Sequence, residues 1–311
     1  EEEKRRGISI NLGFTYFDLP SNKRAGIVDV PGHEKFIKNM LAGAAGIDIV
    51  LFVVAGDEGV MPQTIEHLDI LSFLNVKKGI IVLTKCDVVD NEFIELVKDD
   101  IREKTKGTFL DNAEIVEVDS ISRNGIDNLV KKIDDMSNDI DDKNENSPAR
   151  LNIDRVFSVK GFGTVVTGTS KNSKISVGDI VMIYPQQKEV KIKGIENHGN
   201  KIEILEAGNR CALNINLDSK EIKRGNIIAK KDSLIISNKI DCIFTLLKGS
   251  CNVRNNQRIR INIGTEELIG RVKIFLEDEI LSGDKKFVQI ELERESAFSV
   301  GDIGIVRSFS P

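Results

Sequence analysis

Asp29-Val30-Pro31-Gly32-His33 and, about fifty residues later, Thr84-Lys85-Cys86-Asp87 are the stretches on which the fold turns. The first closes an apolar run over residues 25–30, and the second closes another over residues 79–83. Short apolar runs bounded by turn residues read as buried strands. Each stretch therefore stands at the carboxyl end of a strand. In an open parallel sheet, ligands sit outside those ends. Aspartate, glycine and histidine at one end, with lysine and aspartate at another, are groups that suit a nucleoside triphosphate.

Outward from these two runs, strands are predicted over residues 8–19, 24–30, 47–55, 79–83 and 113–118. Helices are predicted over 34–45, 62–74, 91–106 and 126–136, with Pro62 at home in a first helical turn. Strands alternating with helices mean an α/β doubly wound sheet. Residues 137–148 are rich in Asp, Asn, Lys and Glu and read as a solvated linker. Beyond residue 150 the helical period disappears. Short runs at 165–169, 180–184, 190–195, 210–215, 242–247, 257–263 and 288–292 are punctuated by Gly, Asn and Asp. They predict one or two antiparallel β-barrels with a break near 231–239. The expected domains are residues 1–140, a linker at 141–149, and barrels at 150–234 and 235–311.

Composition narrows the class. The 311 residues are 40% hydrophobic and 30% charged, enough for two or three folded domains. No run approaches the roughly 18 apolar residues of a membrane helix. Cys86, Cys211, Cys242 and Cys251 lie far apart without paired metal spacing, which predicts a reduced, cytoplasmic setting. A net charge of -5 argues against bulk nucleic-acid affinity but leaves room for a local basic face.

Each candidate residue has a chemical reason. Asp29 can hold a water on Mg²⁺, and Gly32 can offer its N–H to a terminal phosphate with no side chain in the way. His33 then stands where an attacking water is oriented. The Lys85 stem can cover a base while the Asp87 carboxylate accepts two hydrogen bonds from guanine. Ser9, just before a strand, can ligate Mg²⁺, and the Ser120 N–H can meet the guanine carbonyl. Alone, each has a plainer reading: Pro-Gly is an ordinary turn, and Lys-x-Asp is usually a solvated loop. Together at successive strand ends they point to GTP. The phosphate-cradling motif G-x-x-x-x-G-K-[ST] does not occur, so the chain is expected to begin after that loop, its strand and its helix.

Arg6-Gly7-Ile8-Ser9-Ile10, Asp29-Val30-Pro31-Gly32-His33-Glu34-Lys35-Phe36, Asn39-Met40-Leu41-Ala42-Gly43 and Asp57-Glu58-Gly59-Val60-Met61-Pro62-Gln63-Thr64 resemble the translational GTPases. Glu34-Lys35-Phe36 and the Asn39 run are most similar to the selenocysteine-specific branch, the SelB type. Asp154-Arg155-Val156-Phe157-Ser158-Val159-Lys160-Gly161 and Gly163-Thr164-Val165-Val166-Thr167-Gly168 resemble the first barrel of that branch. The resemblance implies a GTPase domain, two barrels like those of EF-Tu, and winged-helix repeats that lie outside this sequence and read a messenger RNA hairpin.

It also implies roles. Ser9 would be the switch hydroxyl on Mg²⁺, Ile8 one wing of a hydrophobic gate, and Asp29 the group behind a Mg²⁺-bound water. Gly32 would contact the γ-phosphate, and His33 would be the catalytic histidine. Thr84 takes a position where many GTPases carry asparagine, with Lys85, Asp87 and Ser120 around the base. Asp154, Arg155 and Arg210 would surround the selenocysteyl group. A selenol is more acidic than a thiol, whose reference pKa is about 8.5, and is anionic at neutral pH. Two arginines would attract a selenolate and gain little from a seryl hydroxyl. The expected function is GTP-dependent delivery of selenocysteyl-tRNA to the ribosome, with hydrolysis to GDP and phosphate, by a cytoplasmic monomer with no membrane partner. Two alternatives stay open: a general aminoacyl-tRNA carrier of the EF-Tu or initiation-factor type, and a nucleotide-free scaffold binding tRNA or the ribosome.

Overall fold

The computed structural model describes residues 12–33, 40, 47–74, 76–140 and 147–308. Ile8, Ser9 and most of the helix expected over 34–45 lie outside the described residues; of that helix, Met40 is helical and buried. The chain forms two compact units, Glu1–Asp142 and Lys143–Pro311.

In the first unit, β3 (Val50–Ala55), β4 (Gly79–Thr84) and β5 (Ile115–Val118) form a parallel sheet in the order β3-β4-β5. Gly79 to Leu83 are all buried, as a central strand covered on both faces requires. β1 (Gly13–Asp18) and β2 (Arg24–Asp29) pair as an antiparallel hairpin. Phe17, Leu19 and Ala25 of that hairpin share one apolar core with Ile80, Val82, Val116 and Val118 of the sheet. The helices α1 (Pro62–Phe73), α2 (Asn91–Thr105) and α3 (Ile126–Asn138) follow β3, β4 and β5 in turn. α2 begins where Asp90 accepts a 2.8 Å hydrogen bond from Phe93 N–H, and it buries Ile94, Val97 and Ile101 along one face. α3 closes the core with Leu129 and Ile133 and anchors the hairpin turn through buried Asp134. That carboxylate accepts Ser21 N–H at 3.0 Å and Ser21 O–H at 2.5 Å.

Among its described residues, the second unit is all β apart from one short 3₁₀ turn. Its strands run β6 (Arg150–Val159), β7 (Gly163–Lys171), β8 (Ile175–Ser176), β9 (Ile180–Tyr184), β10 (Lys188–Asn197), β11 (Asn200–Ile202), β12 (Ile204–Leu205), β13 (Arg210–Ile215) and β14 (Ile227–Ala229). Then follow β15 (Ile235–Thr245), β16 (Val253–Arg254), β17 (Arg258–Ile263), β18 (Glu266–Ile274), β19 (Glu279–Ile280), β20 (Lys285–Phe298) and β21 (Gly304–Ser308). The order β10-β13-β7-β6-β14-β9 returns to β10, so six strands close a barrel around Leu151, Ile153, Val166, Ile183, Ile192 and Leu213. The later strands form an open five-stranded sheet, β15-β20-β18-β17-β21, over their own core. The fold class is the expected one, with the second barrel present as a half-barrel. The break expected at 231–239 is shorter than that, because β15 already starts at Ile235, where Leu234 and Ile236 pack against Met182, Tyr184, Ile227 and Ala297. The two sheets are further joined by Arg150, whose Nη1 meets both Asp302 oxygens at 2.7 and 2.9 Å.

Candidate functional site

The register Ala55–Thr84–Val118 aligns the carboxyl ends of β3, β4 and β5. The loops starting at Gly56, Lys85 and Asp119 therefore open along one edge of the sheet. Gly56 lies against the β4 end: its N–H donates to Thr84 O at 2.7 Å, and an added Cβ would stand 3.1 Å from the same oxygen. The Thr84 hydroxyl donates to Val54 O at 3.3 Å and so ties β4 back to β3. Lys85 has φ +56°, a left-handed conformation that non-glycine residues adopt at a cost. Its Nζ meets Asp57 at 2.8 and 3.0 Å and Glu58 at 3.8 Å. Hydrogen bonding to Asp57 raises the Lys85 pKa, so the amine is firmly an ammonium. Asp87 is exposed on the same turn.

The loop after β5 wraps round a carboxylate. Asp119 accepts Ile121 N–H at 2.8 Å and Ser122 N–H at 2.9 Å, while its own N–H donates to Asn124 O at 3.0 Å. Hydrogen bonds from Ser122 and Ile121 hold the Asp119 pKa below the ordinary carboxylate value. This turn presents Ser120, exposed, at its tip. Gly125 closes it at φ +77°, where a Cβ would fall 2.0 Å from Glu117 O.

Asp29 ends β2, opposite Gly13, and its side chain is exposed. Pro31 is buried, while Gly32 and His33 face solvent. Among the described residues, nothing lies within 4 Å of a Cβ built on Gly32, so local packing does not demand a glycine. For Mg²⁺, the exposed Asp29 oxygens are hard donors of the right kind. Among the described residues no three His, Cys, Asp or Glu side chains gather to hold a metal.

In the closed barrel, β6 and β7 pair Ile153 with Gly168 and Arg155 with Thr167, leaving Asp154 as the extra residue of a β-bulge. A Cβ on Gly168 would approach Asn152 O to 2.4 Å, so glycine is what lets the two strands close beside the bulge. Asp154 and Arg210 form a bidentate pair at 2.5 and 2.9 Å, with side chains 8% and 20% exposed. Thr167 Oγ1 donates to Asp154 at 2.7 Å and accepts from Arg210 at 3.4 Å. Arg155 is exposed on β6. The structure thus brings Asp154 to Arg210 and adds Thr167, which the sequence reading did not single out. Neighbouring Cys211 is buried, which pushes its thiol up to about 12.

Residues 1–139 match the family model "Elongation factor Tu GTP binding domain". The chain is 40% identical over 312 residues to the selenocysteine-specific elongation factor of Desulfomicrobium baculatum, spanning 100% of this chain and 49% of that protein. It is 30% identical to the factor of the same name from Methanocaldococcus jannaschii, spanning 97% of this chain and 68% of that protein. The chain belongs to the selenocysteine-specific elongation factor family. A crystal structure of a bacterial selenocysteine-specific elongation factor, EF-Sec, superposes with a TM-score of 0.87 at 34% identity. That match covers 99% of this chain and 51% of the other. The chain spans about half the length of the bacterial relatives, 49% and 48% of two of them.

Proposed function

We propose that this chain carries the guanine-nucleotide switch and the tRNA-binding barrels of a factor that delivers selenocysteyl-tRNA to the ribosome. The observation that carries the reading is the common edge at which Lys85, Asp87 and Ser120 emerge from β4 and β5. There the Asp87 carboxylate accepts two N–H groups of guanine, at roughly 1.5–3 kcal/mol for each charge-assisted bond. Adenine lacks that pair of donors, so GTP and GDP are preferred over ATP. The Lys85 methylenes cover one face of the base, and the Ser120 N–H meets its carbonyl.

At the phosphate end, Gly32 offers its N–H to the γ-phosphate and His33 orients the attacking water. Phosphoryl transfer asks mainly for positioning and charge stabilisation. Asp29, with Ser9, would hold Mg²⁺, which supplies charge neutralisation at the phosphates when bound. Ile8 would shield the water. γ-Phosphate contacts that exist only in the GTP form supply the differential interaction that a switch requires.

In the barrel, Asp154, Arg155 and Arg210 form the aminoacyl pocket. The Asp154–Arg210 pair refines the charge argument, because Arg210 already has a carboxylate partner. A selenolate gains from Arg210 through oriented N–H donors more than through an uncompensated positive charge, and Arg155 adds to the field.

The test is protection of the ester bond. With GTP, this chain should slow hydrolysis of selenocysteyl-tRNA and leave seryl-tRNA unprotected. Equal protection of both would favour a general carrier of the EF-Tu or initiation-factor type. Protection indifferent to nucleotide would favour a scaffold.

A further inference from the structure

Asp57 is the ion-pair partner of Lys85, yet it makes no direct contact with the base in the guanine site proposed above. Its position is nevertheless tightly determined. Gly56 N–H is bonded to Thr84 O at 2.7 Å, and Gly59 N–H and Glu58 N–H close a turn on Ala55 O at 2.8 and 3.2 Å. Gly59 takes φ +69° within that turn. These bonds fix the Cα of Asp57 beside the end of β4. On the other side, Lys85 leaves β4 in the left-handed region. Such a conformation persists where the surroundings over-determine it, and it gathers at functional sites. The two carboxylate–ammonium contacts at 2.8 and 3.0 Å span 28 positions of sequence and tie the Lys85 stem at the end of β4 to the loop after β3.

We propose that Asp57, seconded by Glu58, is a positioning residue for the guanine pocket: it holds the Lys85 ammonium over the β3 loop so that the lysine methylenes form a ready-made wall for the base. The inference rests on the guanine-site reading given above. Without Asp57 the lysine stem samples several rotamers, and the base must order it on binding. The pair is largely open to solvent, so the expected change in binding is modest, about two- to fivefold. The effect travels only through Lys85. A purely structural role for the Gly56–Met61 turn would act whatever residue stood at position 85.

The experiment is a titration of the full chain with mant-GDP, comparing wild type, Asp57→Asn, Asp57→Glu, Lys85→Met and the double variant Asp57→Asn/Lys85→Met. Asp57→Asn should weaken binding two- to fivefold, Asp57→Glu should restore most of it, and the loss should vanish in the Lys85→Met background. Acylation footprinting of the nucleotide-free chain should find Lys85 more reactive in Asp57→Asn than in wild type. An unchanged affinity in Asp57→Asn, or a loss that persists in the Lys85→Met background, overturns the positioning role while leaving the guanine site standing. Absence of mant-GDP binding by the wild type overturns the guanine-site reading and the positioning role with it.

Discussion

Removing both partners of the Asp154–Arg210 pair should cost clearly less than the two single removals added together. The pair sits at a bulge in a closed barrel with Asp154 8% and Arg210 20% exposed. Breaking a buried pair by deleting one member costs about 3–5 kcal/mol, because the survivor is left charged in a poor solvent. Arg210 keeps some contact with water, so Asp154→Ala is expected near the low end, about 2–3 kcal/mol. Arg210→Ala leaves the more buried Asp154 charged beside the Thr167 hydroxyl at 2.7 Å, and about 3–4 kcal/mol is expected. The double variant removes both charges and should fall short of the sum by about 2 kcal/mol. Amide hydrogen exchange across a urea series, read in β6, β7 and β13, follows this barrel apart from the other unit. A cost below about 0.5 kcal/mol for Asp154→Ala, or strict additivity in the double variant, would refute the reasoning and make the pair a solvated ornament.

Three further outcomes follow from the same structure. Gly125→Ala should lower the melting temperature of the first unit and destabilise it by about 3 kcal/mol, because φ is +77° and the new Cβ meets Glu117 O at 2.0 Å; an unshifted melt would contradict the turn geometry. His67 Nε2 is buried with no hydrogen-bond partner among the described residues, and burial lowers its pKa. The unfolded chain takes up that proton from about pH 6.5 while the folded one resists it, so stability is full above that pH and declines below it. His67→Gln should flatten the slope between pH 7.5 and 5, measured by urea unfolding. Iodoacetamide at pH 8 should label exposed Cys251 and spare Cys211, whose thiol is pushed up to about 12; equal labelling rates would contradict its burial.

What the sequence made legible follows from the period of its side chains. Gly79 to Leu83 form an unbroken apolar run, and only a strand covered on both faces suits it, so β4 and its parallel neighbours could be read directly. β13 alternates cleanly and β9 is a short apolar run, so their bounds, Arg210–Ile215 and Ile180–Tyr184, can be read from the sequence. β6 was missed because a bulge at Asp154 interrupts its alternation. β18 was missed because Glu266, a charged residue, opens it on the buried side; it is held there by Arg294 Nη1 at 2.6 Å and by the Ser296 hydroxyl.

The site divides in the same way. Motif residues at strand ends could be named, because their chemistry is local: Asp29, Gly32 and His33 after one strand, Lys85 and Asp87 after another. Their partners could not. Asp57 meets Lys85 only because β3 and β4 are parallel and in register, and Thr167 meets Asp154 only through the bulge. Contacts of this kind belong to the register, which no spacing in the sequence spells out.

The most direct test of the account is a titration of this chain with mant-GDP and mant-GTP in Mg²⁺, competed by GDP, ATP and XDP, in wild type and Asp87→Asn. Nucleotide should be carried into the millimolar range, since the sequence holds no phosphate-cradling motif. Binding displaced by GDP but not by ATP, and turned from GDP towards XDP by Asp87→Asn, is the result the account predicts. Displacement by ATP as readily as by GDP, or no binding at all, would contradict it.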